Sequence, residues 1–122
     1  MKVKKYSFEK LEVWKESVEL VKFIYDATNS FPAEEKFGLI NQLRRASISI
    51  SSNLAEGTSR KTQKDKAHFT TISFSSTMEV LNQLLISKEL GFLSDNDYIL
   101  ARNKIEKITN MLNALRNYQL NK

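Results

Sequence analysis

Length, composition and charge exclude several classes of protein at once. The chain has 122 residues, the size of one domain, and no cysteine, which excludes disulfides and thiolate metal sites. Three glycines and one proline supply too few turns for an all-β domain. The net charge of +5 permits a nucleic-acid partner without requiring one.

Hydropathy gives no sign of a membrane segment. No stretch approaches the roughly 18 uncharged apolar residues that a transmembrane helix needs. The basic start, Met1 to Ser7, is not followed by the apolar run of a signal peptide. We therefore expect a cytoplasmic protein with no membrane partner.

The first segment has the apolar spacing of an amphipathic helix. Spacings of three and four predict a helix over about residues 8–29. The residues that carry this pattern are Leu11, Trp14, Val18, Val21 and Tyr25. Phe31 and Pro32 then interrupt the chain.

The second segment contains the run QLRRASISISSNLAEG, whose alternation of serine and isoleucine resembles a strand. At helical spacing, however, apolar and small residues form one unbroken line: Ile40, Leu43, Ser47, Ile50 and Leu54. Because no turn signal bounds the alternating run, we predict a continuous helix over 33–56, ended by Gly57. Ser47 and Ser51 are then small packing residues that face another helix or subunit.

Two further helices are predicted over about 62–90 and 94–118. Thr62 and Ser94 begin them as caps, and Gly91 ends the third helix. The third is apolar on more than one side, which is typical of a deeply buried helix or of a subunit contact. The fourth has the most regular heptad spacing. We therefore predict an all-α fold, a single domain over 1–122 that is an antiparallel up-down-up-down four-helix bundle.

Catalytic chemistry finds little support. His68 is the single histidine, and with no cysteine a zinc site has no strong ligands. No nucleophile stands beside an evident base, and no glycine-rich phosphate loop is present. We predict neither a metal, nor a cofactor, nor an enzymatic activity. Glu56 and Glu79 are expected to be structural, as ion-pair partners of the arginines between the second and third helices.

Arg44 and Arg45 are neighbours in the second helix. Adjacent helical residues point about 100° apart, so these two side chains cannot share one role. Arg44 lies beside the apolar line and Arg45 lies further round. A structural ion pair and a phosphate contact both remain open, because a guanidinium fits carboxylates and phosphates alike.

The strongest candidate for nucleic-acid binding is a basic cluster that precedes and opens the third helix. It consists of Arg60, Lys61, Lys64 and Lys66. Phosphate contact is the functional interpretation of this cluster, and a solvated helix start is the alternative. Aromatic residues are few outside the predicted core, so we expect no platform for stacking on bases.

Several motifs together resemble a known family. They are Phe8-x-x-Leu11-x-Val13-Trp14, Phe31-Pro32, Gln42-x-Arg44-Arg45-Ala46, Asn53-Leu54-Ala55-Glu56-Gly57 and Ser76-x-x-Glu79. In this order they resemble the four-helix-bundle proteins encoded in intervening sequences of bacterial 23S rRNA genes. The resemblance implies a homopentameric ring with a basic surface and no established enzymatic activity. It extends to the accessory proteins of diversity-generating retroelements, which bind nucleic acid and a reverse transcriptase.

Two classes of function follow from these observations. The first is an oligomeric nucleic-acid-binding protein, with RNA favoured, that reads backbone charge rather than sequence. The second is a protein-interaction scaffold, or an accessory subunit of a nucleic-acid-processing complex, without nucleic-acid contact of its own. In both, the chain's first partner is itself, and salt-dependent binding of nucleic acid separates the two.

Overall fold

The computed structural model describes residues 2–121 as four long helices joined by short connections. They are α1 (Glu12–Thr28), α2 (Leu39–Thr58), α3 (Gln63–Glu89) and α4 (Asp95–Leu120). Contacts join α1 to α2, α2 to α3, α3 to α4, and α4 back to α1. No strand occurs in the described residues. The predicted all-α four-helix bundle is therefore confirmed.

Interhelical contacts establish the antiparallel order. Along α2 and α3, Ser49 meets Ser76, whereas Gln42, nearer the start of α2, meets Gln83 further along α3. The core between the helices is mainly apolar, with buried serine and threonine side chains at several positions. Its largest completely buried side chains include Leu20, Ile24, Leu43, Ile50, Ile108 and Leu112.

The helix termini follow the predicted capping pattern. Thr62 Oγ1 accepts a hydrogen bond from the Asp65 amide at 3.1 Å, and Ser94 Oγ accepts one from the Asp97 amide at 3.1 Å. Gly91 has φ of 80°, a conformation that glycine adopts without steric cost. The amide of the next residue, Phe92, returns to the Ser87 carbonyl at 2.9 Å. Gly91 thus ends α3 in a Schellman motif.

The first two helices begin later than the sequence pattern predicts. Residues 33–35 form a short 3₁₀ helix, and α2 starts only at Leu39. Gly38, with φ −109° and ψ −114°, breaks the helix, and Glu35 Oε1 accepts the Leu39 amide at 3.3 Å. Likewise Ser7–Lys10 is a 3₁₀ helix, separated from α1 by the extended Leu11. The predicted helix over 33–56 is therefore wrong at its start.

Within α2 the serine-rich run is helical, as predicted. Ser47 is completely buried and Ser51 is half-buried. Ser73 Oγ of α3 donates to the Ile50 carbonyl at 3.0 Å, which requires a close approach of the two helices. Gly57 does not end α2. A Cβ atom at Gly57 would lie 2.9 Å from Phe69 Cβ, so glycine serves the same close packing.

Candidate nucleic-acid interface

The basic cluster lies at one end of the bundle. Arg60 and Lys61 follow α2, and Lys64 and Lys66 belong to the first turns of α3. The antiparallel order places the starts of α1 and α3 and the ends of α2 and α4 at this same end, which we call the basic end. The N-terminal lysines lead into it. They are Lys2, Lys4, Lys5 and Lys10.

The cations of the basic cluster form no ion pair with any carboxylate of residues 2–121. Among residues 2–121, every ion pair involves a lysine elsewhere, namely Lys15, Lys22, Lys88 or Lys107. Arg60, Lys61 and Lys64 are exposed, and Lys66 is half-buried. Asp65 lies within the cluster and lowers its charge to +3, but no carboxylate of residues 2–121 lies within 4.0 Å of these cations, which remain available to an anion from outside.

Arg60 is nonetheless held in place. Its guanidinium carbon lies 4.5 Å from the centre of the Phe69 ring in α3. A cation–π contact of this kind orients the guanidinium without using its N–H donors. The guanidinium N–H donors of Arg60 therefore remain available to an external acceptor.

The opposite end of the bundle, which we call the acidic end, has the reverse charge. Its carboxylates come from the end of α1, the connection to α2, the end of α3 and the start of α4. They are Asp26, Glu34, Glu35, Glu89, Asp95 and Asp97. Charge is therefore separated along the bundle axis, and the net charge of +5 understates how basic one end is.

Arg44 makes contacts within the bundle that favour its structural role over a phosphate contact. Its Nε donates to Thr28 Oγ1 at 3.0 Å, and its Nη2 donates to Asn29 Oδ1 at 3.2 Å. The guanidinium carbon also lies 4.4 Å from the centre of the Tyr25 ring. These contacts fasten the start of α2 to the end of α1. Its partners are neutral groups rather than the carboxylate that an ion pair would use.

Arg45 is exposed, as expected for the arginine further from the apolar line. It is not brought to the basic cluster. Thirteen residues separate it from Thr58 at the end of α2, which corresponds to about 20 Å of helix. Arg45 thus remains a candidate for phosphate contact only as an isolated cation on the side of the bundle.

Glu56 and Glu79 do not form the predicted ion pairs within the described chain. The carboxylate of Glu79 accepts a hydrogen bond from Gln83 Nε2, one turn along α3, at 3.3 Å. Glu56 is exposed, and no cationic nitrogen lies within 4.0 Å of its carboxylate among residues 2–121. The prediction of these ion pairs is wrong because sequence spacing does not reveal how two helices are rotated about their axes.

Residues 2–121 offer neither a metal site nor a membrane-spanning helix. The described residues contain no group of three or more histidine, cysteine, aspartate or glutamate side chains placed to hold a metal ion. None of their helices is long and apolar enough to cross a membrane. His68 is exposed and meets Phe69 edge-on, with 5.7 Å between ring centres.

The basic end contains a pocket that the sequence does not predict. Its volume is about 230 Å³, and it is lined by residues that precede α1 and by residues of α2, α3 and α4. We call it the end pocket. Its lining consists of Ser7, Leu11, Thr58, Gln63, Lys66, Leu115, Tyr118 and Gln119. These residues are scattered along the sequence, so no local motif predicts the pocket.

A second surface feature runs between α3 and α4. Met78 and Leu85 are 37% and 36% exposed, and they continue a line that begins with half-buried Phe74 and Leu81. Two shallow cavities of about 200 and 220 Å³ lie along this line. The helix predicted to have surplus apolar surface therefore does present some of it to solvent.

Comparison with known proteins identifies a similar fold and a matching family. No curated protein sequence matches the chain significantly. A crystal structure from Bacteroides thetaiotaomicron, of a protein of unknown function from the S23 ribosomal protein family, is similar in fold. Its TM-score is 0.76 at 19% identity, over 85% of this chain and 97% of that chain. The sequence model of the 23S rRNA-intervening sequence protein family matches residues 9–114. The chain therefore belongs to the 23S rRNA-intervening sequence protein family.

Proposed function

We propose that this protein is a non-enzymatic, ring-forming RNA-binding protein of the cytoplasm. The observation that carries the proposal is the basic cluster, four neighbouring cations without an acidic partner in the described chain. Lysine and arginine in this arrangement bind phosphates, and they do so with little regard to base sequence. Membership of a family tied to 23S rRNA intervening sequences favours RNA over DNA.

Assembly into a homopentamer is the second part of the proposal. It rests on the family resemblance and on the apolar line of Phe74, Met78, Leu81 and Leu85, part of which is exposed. In a closed ring each such surface meets a neighbour, and no copy is left uncovered. Five basic clusters on one ring then act together on a single RNA, which raises its apparent affinity well above that of one cluster.

A protein scaffold is the second candidate. The observation in its favour is the same apolar line, since Arg102, Glu106 and Arg116 border its two cavities. An apolar strip with charged borders is typical of protein–protein contacts. In that case the partner is a subunit of a nucleic-acid-processing complex, and the isolated protein has no affinity for RNA.

The test is a titration with fluorescently labelled structured RNA and duplex DNA at several salt concentrations, followed by anisotropy. The proposal predicts binding to both that weakens steeply as salt rises, because each neutralised phosphate releases condensed counterions. Light scattering on the same sample should give the mass of five chains. A monomer at micromolar concentration would contradict the ring, and no binding at low salt would favour the scaffold.

A further inference from the structure

We propose that the end pocket accommodates one unpaired base of the RNA, while the basic cluster holds the neighbouring phosphates. This inference rests on the proposed function and adds a preference for single-stranded segments. It is carried by the composition of the pocket, by an amide group without a complete set of partners, and by the position of the pocket beside the cluster.

The lining of the pocket suits a flat, partly polar ring. Leu11 and Leu115 provide apolar walls, and Tyr118 is an aromatic side chain of the kind on which bases stack. Gln63 and Lys66 add polar groups at the start of α3. Apolar walls with a few polar groups that fix orientation are characteristic of ligand sites.

Gln119 supplies the most specific evidence. The residue is only 7% exposed, yet it lines the pocket near the end of α4. Its Oε1 lies 2.7 Å from Thr70 Oγ1, a hydroxyl that is also 3.1 Å from the Lys66 carbonyl. The other polar atom of the amide has no hydrogen-bond partner in the described chain, whichever way the amide is turned. A largely buried amide in that state matches the donors and acceptors on the edge of a base.

Size restricts the ligand to a single ring system. Pockets for drug-sized molecules measure roughly 300–1,000 Å³. The end pocket, at about 230 Å³, is smaller than that range. This volume favours a ligand as small as one base, with the sugar and phosphate outside the pocket. Lys66 belongs both to the pocket and to the basic cluster, which places a phosphate site directly beside the base site.

Sequence reasoning predicts no stacking platform, because aromatic residues are few outside the predicted core. Tyr6 and Tyr118 are 59% and 58% exposed, and both belong to segments that meet at the basic end.

The experiment compares a short single-stranded RNA of mixed sequence with an abasic oligomer of equal length and equal phosphate charge. Anisotropy titrations at low salt should show that the wild-type protein binds the base-bearing oligomer about fivefold or more tightly. Gln119→Met, which removes the amide, and Ser7→Leu, which fills the pocket from its exposed rim, should abolish this preference. Both variants should retain the salt dependence of wild type. Asn117→Met, an exposed amide outside the pocket lining, is the matched control and should keep the preference.

The outcomes separate the pocket from the proposed function. The base site is overturned if the wild type binds the two oligomers with equal affinity, or if both pocket variants keep the full preference for the base-bearing oligomer. If binding in that case still depends on salt, the proposal that the basic cluster binds phosphates stands. Absence of binding to either oligomer overturns both proposals. Far-UV circular dichroism checks the folding of each variant, and Ser7→Leu decides the question should Gln119→Met fail to fold.

Discussion

Arg44 and Arg60, near the two ends of α2, show how one residue type serves two purposes. Arg44 has hydrogen-bond acceptors on Thr28 and Asn29, and it stacks against Tyr25. Arg60 also stacks against an aromatic ring, yet its guanidinium N–H groups have no acceptor among residues 2–121. The first arginine therefore stabilises the fold, whereas the second is free to bind an external anion. The difference lies in the acceptors nearby and not in the arginine itself.

The same contrast separates the two ends of the bundle. At the acidic end, Lys88 lies 4.0 Å from Asp95, so a cation and a carboxylate partly offset each other. At the basic end, Lys61 and Lys64 are exposed without such a neighbour. Charge at the basic end thus contributes little to stability and is available for binding.

The largest effect should come from taking the ring apart without altering either end. Met78→Glu combined with Leu85→Glu introduces charge into the apolar line that we assign to the subunit contact. Light scattering should then give a monomer, and RNA affinity should fall about hundredfold or more, because the clusters no longer act together.

The control for this variant is Asn103→Glu with Asn110→Glu, which adds the same charge at exposed polar positions of α4. It should leave the oligomer intact. A Met78 and Leu85 variant that remains a pentamer would show that the subunit contact lies on another face. A monomer with unchanged affinity would show that recurrence of the basic cluster is unimportant.

Ser47→Leu tests the helix that joins the two ends. Ser47 is completely buried, so a larger side chain has no space and should lower the free energy of unfolding by about 1–3 kcal/mol. Urea denaturation measures the loss. Ser52→Leu, at an exposed position of the same helix, is the control and should change stability little. Equal stability of the Ser47 variant and wild type would mean that this face is not tightly packed.

Arg44→Met and Arg60→Met should have opposite consequences. Loss of the Arg44 hydrogen bonds should reduce the free energy of unfolding by about 1–2 kcal/mol, with RNA affinity per folded protein unchanged. Loss of Arg60 should change stability by about 0.5 kcal/mol or less and should weaken RNA binding. Urea denaturation measures the stability of both variants, and anisotropy titration measures their RNA affinity. A destabilised Arg60 variant, or a weakly binding Arg44 variant, would remove the distinction between the two arginines.

Much of the fold could be predicted because its signals are local. The caps act within one turn of their own helices, as Thr62, Ser94 and Gly91 do. The spacing of apolar residues in α4 predicts which face of that helix is buried. The start of α2 was missed for a related reason. Glu34 and Glu35 resemble the first turn of a helix, yet Gly38 bends the chain after them.

The candidate site was harder to predict because its decisive contacts are not local. The acceptors of Arg44 lie on another helix, at Thr28 and Asn29. Whether Glu56 and Glu79 reach an arginine depends on the rotation of two helices, which spacing does not fix. The end pocket joins residues as far apart as Ser7 and Gln119. The basic cluster was found because its members are consecutive or nearly so, although its lack of acidic partners became visible only in three dimensions.

The most direct test of the central claim compares two fourfold variants that lose equal charge. One changes the basic cluster, Arg60, Lys61, Lys64 and Lys66, to glutamine. The other changes four lysines elsewhere to glutamine, namely Lys15, Lys22, Lys36 and Lys107. The measurement is RNA affinity as a function of salt concentration. We predict that the first variant stays folded and oligomeric yet binds more weakly with a shallower salt dependence, while the second stays close to wild type. Equal losses in the two variants would show that net charge alone, and not the basic end, binds RNA.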